Sequence, residues 1–418
     1  MVEDNENILR SEDSVDLYTE SVNSTIQGYR GSKDRLAALA QEPTQNAKDN
    51  PMKEGDVPHI VFQLIEKDNS YMLTITDENT KGLDGKRMEA KEVLELVNAG
   101  KSNLVSNFTA MHSDNLSPKK FGGNKSGSRG QGKKSLLYHS RHVNKNDVEV
   151  MYVFIDSLAK DENDTNLTYR SIFLGALPQK VPVIARDQEE AKSWLKEINL
   201  SKIEDKGILL SEMGLKENNI KLGLKALTKN GTRITIPYLH ENTVNGFLDG
   251  SFKKWLERIW WKAIIDEKIK ITLKIPGKRS EVIKPLDYWK DKPWENDSVG
   301  VEINKFKGTK VWSDIEPFKS TARLQAAKEF RNSKNKITIK RIVFDWDSER
   351  ELDEINDGAD QNELNGVQWI RSGQWIKTDD IDKMSSKASI SDASFKNGFR
   401  GFIEFDEATE AYLKRDEV

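Results

Sequence analysis

The sequence predicts an α+β fold in which helices cover one face of a mixed sheet. The segment HIVFQLIEKDNSYMLTITDEN at 59–79 has two apolar runs around the turn KDNS, which predicts a pair of antiparallel strands. The segment SFKKWLERIWWKAIIDEKI at 251–269 has the apolar spacing of an amphipathic helix, and the strand pattern IKITLKI follows it. Strands and helices do not alternate regularly, so a doubly wound parallel sheet is disfavoured.

Before residue 136, the pattern outside this strand pair predicts helices and one long loop. Apolar residues recur with a helical period over 14–28, and a charged, proline-containing stretch at 30–57 predicts a helix followed by a loop. The segment AKEVLELVNAG predicts a helix that ends at Gly100. Residues 101–135 are rich in glycine, serine, asparagine and lysine, which is typical of a loop.

Strand patterns dominate the rest of the chain, separated by polar turns. They are VEVMYVFIDSL at 148–158, YRSIFLGAL at 169–177, GTRITIPYL at 231–239, KITIKRIVFDWD at 336–347, GVQWIRSGQWI at 366–376 and FRGFIEFD at 399–406. RSGQW at 371–375 predicts a hairpin turn. Trp260, Trp261, Ile264 and Ile265 have helical spacing, which predicts that they pack in a core.

Composition limits the class of protein. The chain has 418 residues, enough for two or three domains, with 36% hydrophobic and 32% charged residues, as in a folded protein with a charged surface. A net charge of −3 gives no global basic field for nucleic acid. The absence of cysteine excludes disulfides and thiolate metal sites and suits a cytoplasmic location. The first residues do not resemble a signal peptide, and the apolar runs are too short to span a membrane.

The stretch GSRGQGKKS at 127–135 is close to a P-loop but departs from it. Gly127, Gly132 and Lys133 fit the pattern, whereas Lys134 stands where a P-loop needs serine or threonine, and no buried strand pattern precedes it. The stretch is therefore a glycine-rich basic loop. Between Asp114 and Asp147 the chain has eight lysines and arginines and no acid, which suits binding of phosphate through backbone N–H groups and cations.

Four separated pieces of sequence follow one another in a suggestive order. A helix carries Glu20 and Ser24 on one face, and Asp77 ends a strand that is followed by Gly82. The basic glycine loop comes next, and a strand then opens with Gly231 and Thr232. Taken singly, these residues are ordinary helix, turn and strand residues.

The ordered set resembles the GHKL ATPases, the group of gyrase, the ninety-kilodalton heat-shock chaperone, histidine kinases and MutL. Their nucleotide site, the Bergerat fold, uses a helix reading E-x-x-x-N, a D-x-G-x-G loop after a strand, a glycine-rich lid and a strand that opens with G-T. The resemblance covers roughly residues 14–240. It implies binding of ATP with Mg²⁺, and hydrolysis of the bound ATP.

The resemblance assigns catalytic and metal roles on the first helix. Glu20 matches the general base that acts on the attacking water. Ser24 stands where the group has its magnesium-binding asparagine, and Asn23 lies one place early, so magnesium coordination could use either residue.

The resemblance also assigns the nucleotide contacts. Asp77 matches the carboxylate that accepts the adenine amino hydrogen, and Thr232 matches the threonine that supports this carboxylate. Gly82 matches a glycine of the second motif, with Asn79 in place of the first glycine and a spacing one residue longer. The lid is matched by four residues that would lie against the phosphates: Gly127, Gly130, Gly132 and Lys133.

The resemblance further implies two domains, an ATP-binding domain at 1–240 and a transducer-like α+β domain at 241–418, with Lys307 or Lys310 as candidates for a lysine on the γ-phosphate. The piece from 231 to 275 looks like a bacterial chaperone-like branch of the group, part of which is thought to act in antiphage defence. Lid closure would promote association with a second copy or with a partner effector. Two alternatives stay open: a nucleic-acid-binding module that uses the basic loop at 119–145, and a sensor that binds ATP without hydrolysis.

Overall fold

The computed structural model describes residues 35–67, 70–85, 132–143, 149–160, 167–176, 227–285, 308–315, 339–346, 366–380 and 399–405, with isolated positions at 224 and between 88 and 107. The described residues belong to two compact units. The first contains those up to Trp255 together with Ile269–Ile283, and the second contains Leu256–Lys268 and those from Lys284 onward. The division into 1–240 and 241–418 stays a prediction.

The first unit contains an eight-stranded mixed sheet. Its strands are β1 (His59–Lys67), β2 (Ser70–Glu78), β3 (His142–Val143), β4 (Glu149–Lys160), β5 (Leu167–Ala176), β6 (Gly231–Ile236), β7 (Lys270–Lys274) and β8 (Glu281–Val282). The order is β3-β4-β6-β2-β1-β7-β8, with β5 also paired to β4. Only the pairing of β1 with β7 is parallel among these described strands.

The sheet of the first unit has one strongly apolar face because residues of its strands alternate in orientation. On β1, Ile60, Phe62 and Leu64 are buried, and they lie opposite Asp77, Ile75 and Leu73 of β2 in the antiparallel register. This hairpin and the strands β4 to β7 confirm the sequence predictions, and the α+β class is confirmed with them.

Helices pack on this unit. They are α1 (Arg35–Lys48), α2 (Gly132–Leu137) and α3 (Glu241–Leu248), and α4 (Ser251–Ile265) begins in it and continues into the second unit. Helices α1 and α3 approach closely, because a Cβ on Gly246 would overlap the side chain of Leu36. Phe252 stacks on Phe247 with a ring separation of 4.2 Å and meets Phe62 edge-on at 5.0 Å, which joins the helices to the sheet.

The second unit has a five-stranded sheet. Its strands are β9 (Gly308–Ile315), β10 (Ile339–Trp346), β11 (Gly366–Arg371), β12 (Gln374–Asp380) and β13 (Phe399–Phe405), in the order β12-β11-β13-β10-β9. The turn between β11 and β12 has positive φ at Ser372 and Gly373, as in a type I′ hairpin, which confirms that prediction.

Helix α4 provides the core of the second unit. Trp261 and Ile265 pack with Val343, Ile370 and Phe402, and the indole N–H of Trp261 donates to Gln368 Oε1 at 3.0 Å. Trp260 is buried as well, so the expected core role is confirmed for Trp260, Trp261 and Ile265, whereas Ile264 is only partly buried. No helix in the described ranges is both long enough and apolar enough to cross a membrane.

Candidate nucleotide site

The site is built around Asp77, which lies at the end of β2 where the register with β6 runs out. The last paired residues are Thr76 and Arg233, so the carboxylate of Asp77 meets the first residues of β6. Its Oδ1 accepts hydrogen bonds from the backbone N–H of Thr232 at 3.0 Å and from the hydroxyl of Thr80. Among the described residues, none donates to its second oxygen, Oδ2.

The pKa of Asp77 departs from the ordinary value of a carboxyl group. Burial raises its pKa to about 6 from the ordinary 3.8, against the lowering effect of the hydrogen bonds from Thr80 and Thr232. The carboxylate is therefore about 90% ionised at pH 7. A partly buried carboxylate with one oxygen held by two donors is a rigid acceptor for an amino group.

Two glycines permit the close approach of the segments around Asp77. A Cβ on Gly231 would overlap the carbonyl oxygen of Asp77. Gly82 has φ +67°, and a Cβ there would lie 2.6 Å from Ser157 Oγ and 2.9 Å from the carbonyl oxygen of Gly231. Both positions therefore need glycine, for steric reasons at Gly231 and for steric and conformational reasons at Gly82.

The loop after Asp77 is fastened to the sheet by Ser157. Its buried hydroxyl accepts from the N–H of Leu83 at 2.8 Å and donates to the carbonyl of Gly231 at 2.7 Å. Asn79, which stands in place of a glycine, has φ +61°. Asparagine is one of the few other residues that adopt this conformation readily, so the substitution preserves the turn.

The end of helix α1 borders the same loop. Asn50, just after the helix, donates from Nδ2 to the carbonyl of Gly82 at 3.1 Å. Asn46 and Glu42 lie four and eight residues earlier, on the helix face that leads to Asn50. Asn46 is exposed and Glu42 is partly buried.

Glu42 and Asn46 form an E-x-x-x-N pattern that sequence reasoning missed. The signal was present at 42–46, in the pattern expected of the first motif. A helix followed by a loop was predicted over 30–57, so the pattern lay on a predicted helix, and Pro43 is accommodated inside that helix.

The predicted site residues fall into three groups. Asp77, Gly82 and Thr232 come together in the structure, where Thr232 supports Asp77 through its backbone N–H. Glu20, Asn23, Ser24, Gly127 and Gly130 lie outside the described residues. Gly132 and Lys133 form the first turn of α2, and the side chain of Lys133 lies outside the described part.

The segment that follows α2 packs against the start of α1. The guanidinium of Arg35 lies 3.6 Å from the ring centre of Tyr138, and Tyr138 stacks on His240. Next to it, the buried His139 pairs through Nδ1 with the hydroxyl of Thr243 at 2.9 Å. Burial, and then the charges of His240 and Arg35, lower the pKa of His139 to about 3, so it is neutral at physiological pH.

Within the described ranges, no three or more histidine, aspartate and glutamate side chains cluster as a metal-binding group. Magnesium in nucleotide sites is commonly held by one or two protein oxygens together with phosphates. An exposed amide such as that of Asn46 fits such a partial ligand set.

Comparisons with known proteins add one structural similarity. No protein-family model matches the sequence, and no curated protein matches it. Among solved structures, the chain is similar to the MutL ATPase domain from Aquifex aeolicus complexed with ADP. The similarity covers 91% of this chain and 97% of that chain, at 8% identity and a TM-score of 0.32. The site is therefore assigned from the contacts around Asp77 and not from this similarity.

Proposed function

We propose that this protein binds ATP with magnesium and hydrolyses it at the site around Asp77. The observation that carries the proposal is the environment of Asp77, whose Oδ1 is held by Thr232 and Thr80 and whose Oδ2 has no described donor. Adenine presents an amino group, which is a donor, at the position where guanine presents a carbonyl acceptor. A carboxylate there favours ATP over GTP.

The helix α1 supplies the catalytic groups of the proposal. Glu42 and Asn46 match the E-x-x-x-N pattern and lie on the face that leads to the loop at Gly82. Asn46 would provide an amide oxygen to magnesium, which neutralises phosphate charge when bound. Glu42 would orient a water and accept its proton, as the water oxygen bonds to the γ-phosphorus and the bond to ADP breaks.

Glu20 and Ser24 are the rival pair for these roles. They match the pattern only with serine in place of asparagine, whereas Glu42 and Asn46 match both residues. We expect Glu42→Ala to retain ATP binding and to lose phosphate release at least 100-fold, because the attacking water loses its base. We expect Glu20→Ala to release phosphate at the wild-type rate.

Phosphate release under single-turnover conditions measures both variants. Loss of release in Glu20→Ala together with normal release in Glu42→Ala would return the catalytic role to the earlier helix. Glu54→Ala, an exposed glutamate after α1, is the matched control.

Titration calorimetry with ATP, GTP and single-stranded DNA tests the substrate class. ATP is expected to bind, and Asp77→Asn is expected to weaken it by about 10–100-fold, because an amide N–H₂ replaces a charged acceptor. Unchanged affinity in that variant would place adenine elsewhere. Binding without any phosphate release would support the non-hydrolysing sensor, and binding of DNA alone would support the nucleic-acid module.

The wider role proposed from the resemblance is a switch. The glycine-rich segment with Gly127, Gly130, Gly132 and Lys133 would close on the phosphates, and closure would promote association with a second copy or a partner effector, in a bacterial antiphage system of the cytoplasm. Light scattering with and without a non-hydrolysable ATP analogue tests the association. An unchanged mass with bound analogue would contradict self-association.

A further inference from the structure

The side chain of Asn50 links three segments of the site. Its Nδ2 donates to the carbonyl of Gly82 at 3.1 Å, and its backbone carbonyl accepts from the N–H of Lys81 at 3.0 Å. Its Oδ1 accepts from Asn107 Nδ2 at 3.5 Å, and Asn107 donates to Asp84 at 2.6 Å. Asn50 therefore lies between the end of α1, the loop after Asp77 and the segment around Asn107.

The residues after Asn50 strengthen this contact. Pro51 forms an antiparallel bridge with Thr80, and the N–H of Met52 donates to the carbonyl of Asn79 at 2.9 Å. We call residues 50–52 and 79–82 together the clasp. The clasp joins the end of α1 to the loop by several backbone bonds, to which the Asn50 amide adds a side-chain bond to Gly82.

Asn50 does more than end the helix. Its backbone N–H donates to Ala47 at 3.1 Å, a bond that any residue other than proline could make. The side-chain amide adds a donor and an acceptor that are both used across segments. The loop is held on its other side by Ser157, which bonds Leu83, so removal of the amide weakens only the helix side, where the backbone bonds remain.

We propose that Asn50 is a positioning residue that makes binding of the base and binding of the magnesium–phosphate group interdependent. The inference rests on the proposed function, because Glu42 and Asn46 lie on the helix face that leads to Asn50. The base contacts the loop at Asp77, whereas metal and phosphate contact α1. A displacement of the loop relative to α1 therefore changes the distance between the two halves of the ligand site.

The test compares Asn50→Ala and Asn50→Asp with the wild type, in the full chain. Asn245→Ala, an exposed asparagine on α3, is the matched control. Titration calorimetry gives the Kd of ATP with magnesium and with EDTA. The Kd in EDTA divided by the Kd with magnesium is the tightening of ATP binding by the metal, called the tightening below. We expect the Kd in EDTA to change by about threefold or less and the tightening to fall about tenfold in Asn50→Ala, within the usual range of coupling between sites.

Asn50→Asp retains an acceptor but cannot donate to Gly82, so its tightening is expected to fall as well, by less than in Asn50→Ala. Asn245→Ala is expected to match the wild type in both conditions. A kinetic readout should agree, since misplacement of the metal lowers kcat more than it raises KM.

The outcomes separate the two proposals. An unchanged tightening in Asn50→Ala, with ATP bound by the wild type, overturns the role of Asn50 and leaves the proposed function standing. Absence of ATP binding by the wild type overturns both. Circular dichroism shows whether Asn50→Ala folds. If it does not fold, Asn50→Asp is used in its place, and an unchanged tightening in Asn50→Asp overturns the proposal.

Discussion

At the scale of single residues, Asp77 combines two opposed requirements. Its place beside the first residues of β6 brings the N–H of Thr232 to Oδ1, and the hydroxyl of Thr80 in the following loop is the second donor. Burial raises the pKa of the same carboxyl to about 6. A carboxylate that is costly to ionise in the folded protein is typical of a site shaped for a ligand. The residue therefore predicts opposite pH trends for stability and for ligand binding.

ATP affinity is expected to fall as the pH drops through 6, by about tenfold between pH 7 and pH 5, because protonation of Asp77 removes the charged acceptor. The stability of the folded protein changes with pH in the opposite direction. The folded pKa is raised above 3.8, so the folded state binds more protons between pH 3.8 and 6, and this contribution to stability is lost as the pH rises through 6.

Asp77→Asn should remove both pH trends. Titration calorimetry measures the ATP affinity and urea unfolding measures the stability, each from pH 4.5 to 8. An affinity profile for the wild type that is flat across pH 6 would show that Asp77 does not accept a hydrogen bond from the nucleotide.

At the scale of elements, the loop from Asn79 to Leu83 connects strand, helix end and neighbouring strand. The sequence predicted a turn from Asp77 to Gly82, because short polar residues after an apolar run predict a turn. It also predicted that β6 opens with Gly231 and Thr232. It could not reveal the contact with Ser157, which lies more than 70 residues away along the chain. That contact depends on the pairing of β4 with β6, which no local pattern specifies.

Gly82→Ala is expected to lower the free energy of unfolding by about 2–3 kcal/mol, since an alanine there is strained and also contacts the buried Ser157 hydroxyl. Gly277→Ala is the matched control, because Gly277 has a similar positive φ of +72° with nothing within 4 Å. We expect it to cost about 1 kcal/mol. Urea unfolding measures both, and equal losses would mean that the contact with Ser157 is unimportant.

At the scale of the whole molecule, the sequence predicted most of the described strands and the helices α1 and α4, and it predicted their partners poorly. The prediction of a loop over 101–135 was wrong at its end, where helix α2 begins at Gly132. The hairpin of β1 and β2 and the turn at Ser372 and Gly373 are local, so alternation and turn residues were sufficient. The parallel pairing of β1 with β7 is not local, and neither is the approach of α3 to α1 at Gly246. The E-x-x-x-N pattern on α1 was missed although a helix was predicted over that stretch, because Glu20 and Ser24 offered a near match earlier in the chain.

A fragment of residues 1–240 is expected not to fold stably, whereas a fragment of residues 1–285 is expected to fold. The shorter fragment lacks β7, the strand paired with β1, and it lacks Phe247 and Phe252, which are fully buried. An uncovered strand edge and lost core favour aggregation. Proton NMR dispersion and gel filtration of both fragments measure this, and a monomeric, well-dispersed 1–240 fragment would contradict it.

The parallel pairing of β1 with β7 also concerns how the chain is made. His59 pairs with Lys270, more than 200 positions later along the chain. At translation rates of about 5–20 residues per second, β1 is synthesised roughly 10–40 s before its partner. For most of that time β6, the partner of β2, is also missing, so both edges of the hairpin are open, and the edge of β1 stays open longest and can pair with another nascent chain. Slowing synthesis should therefore lower the yield of this protein unless a chaperone covers that edge.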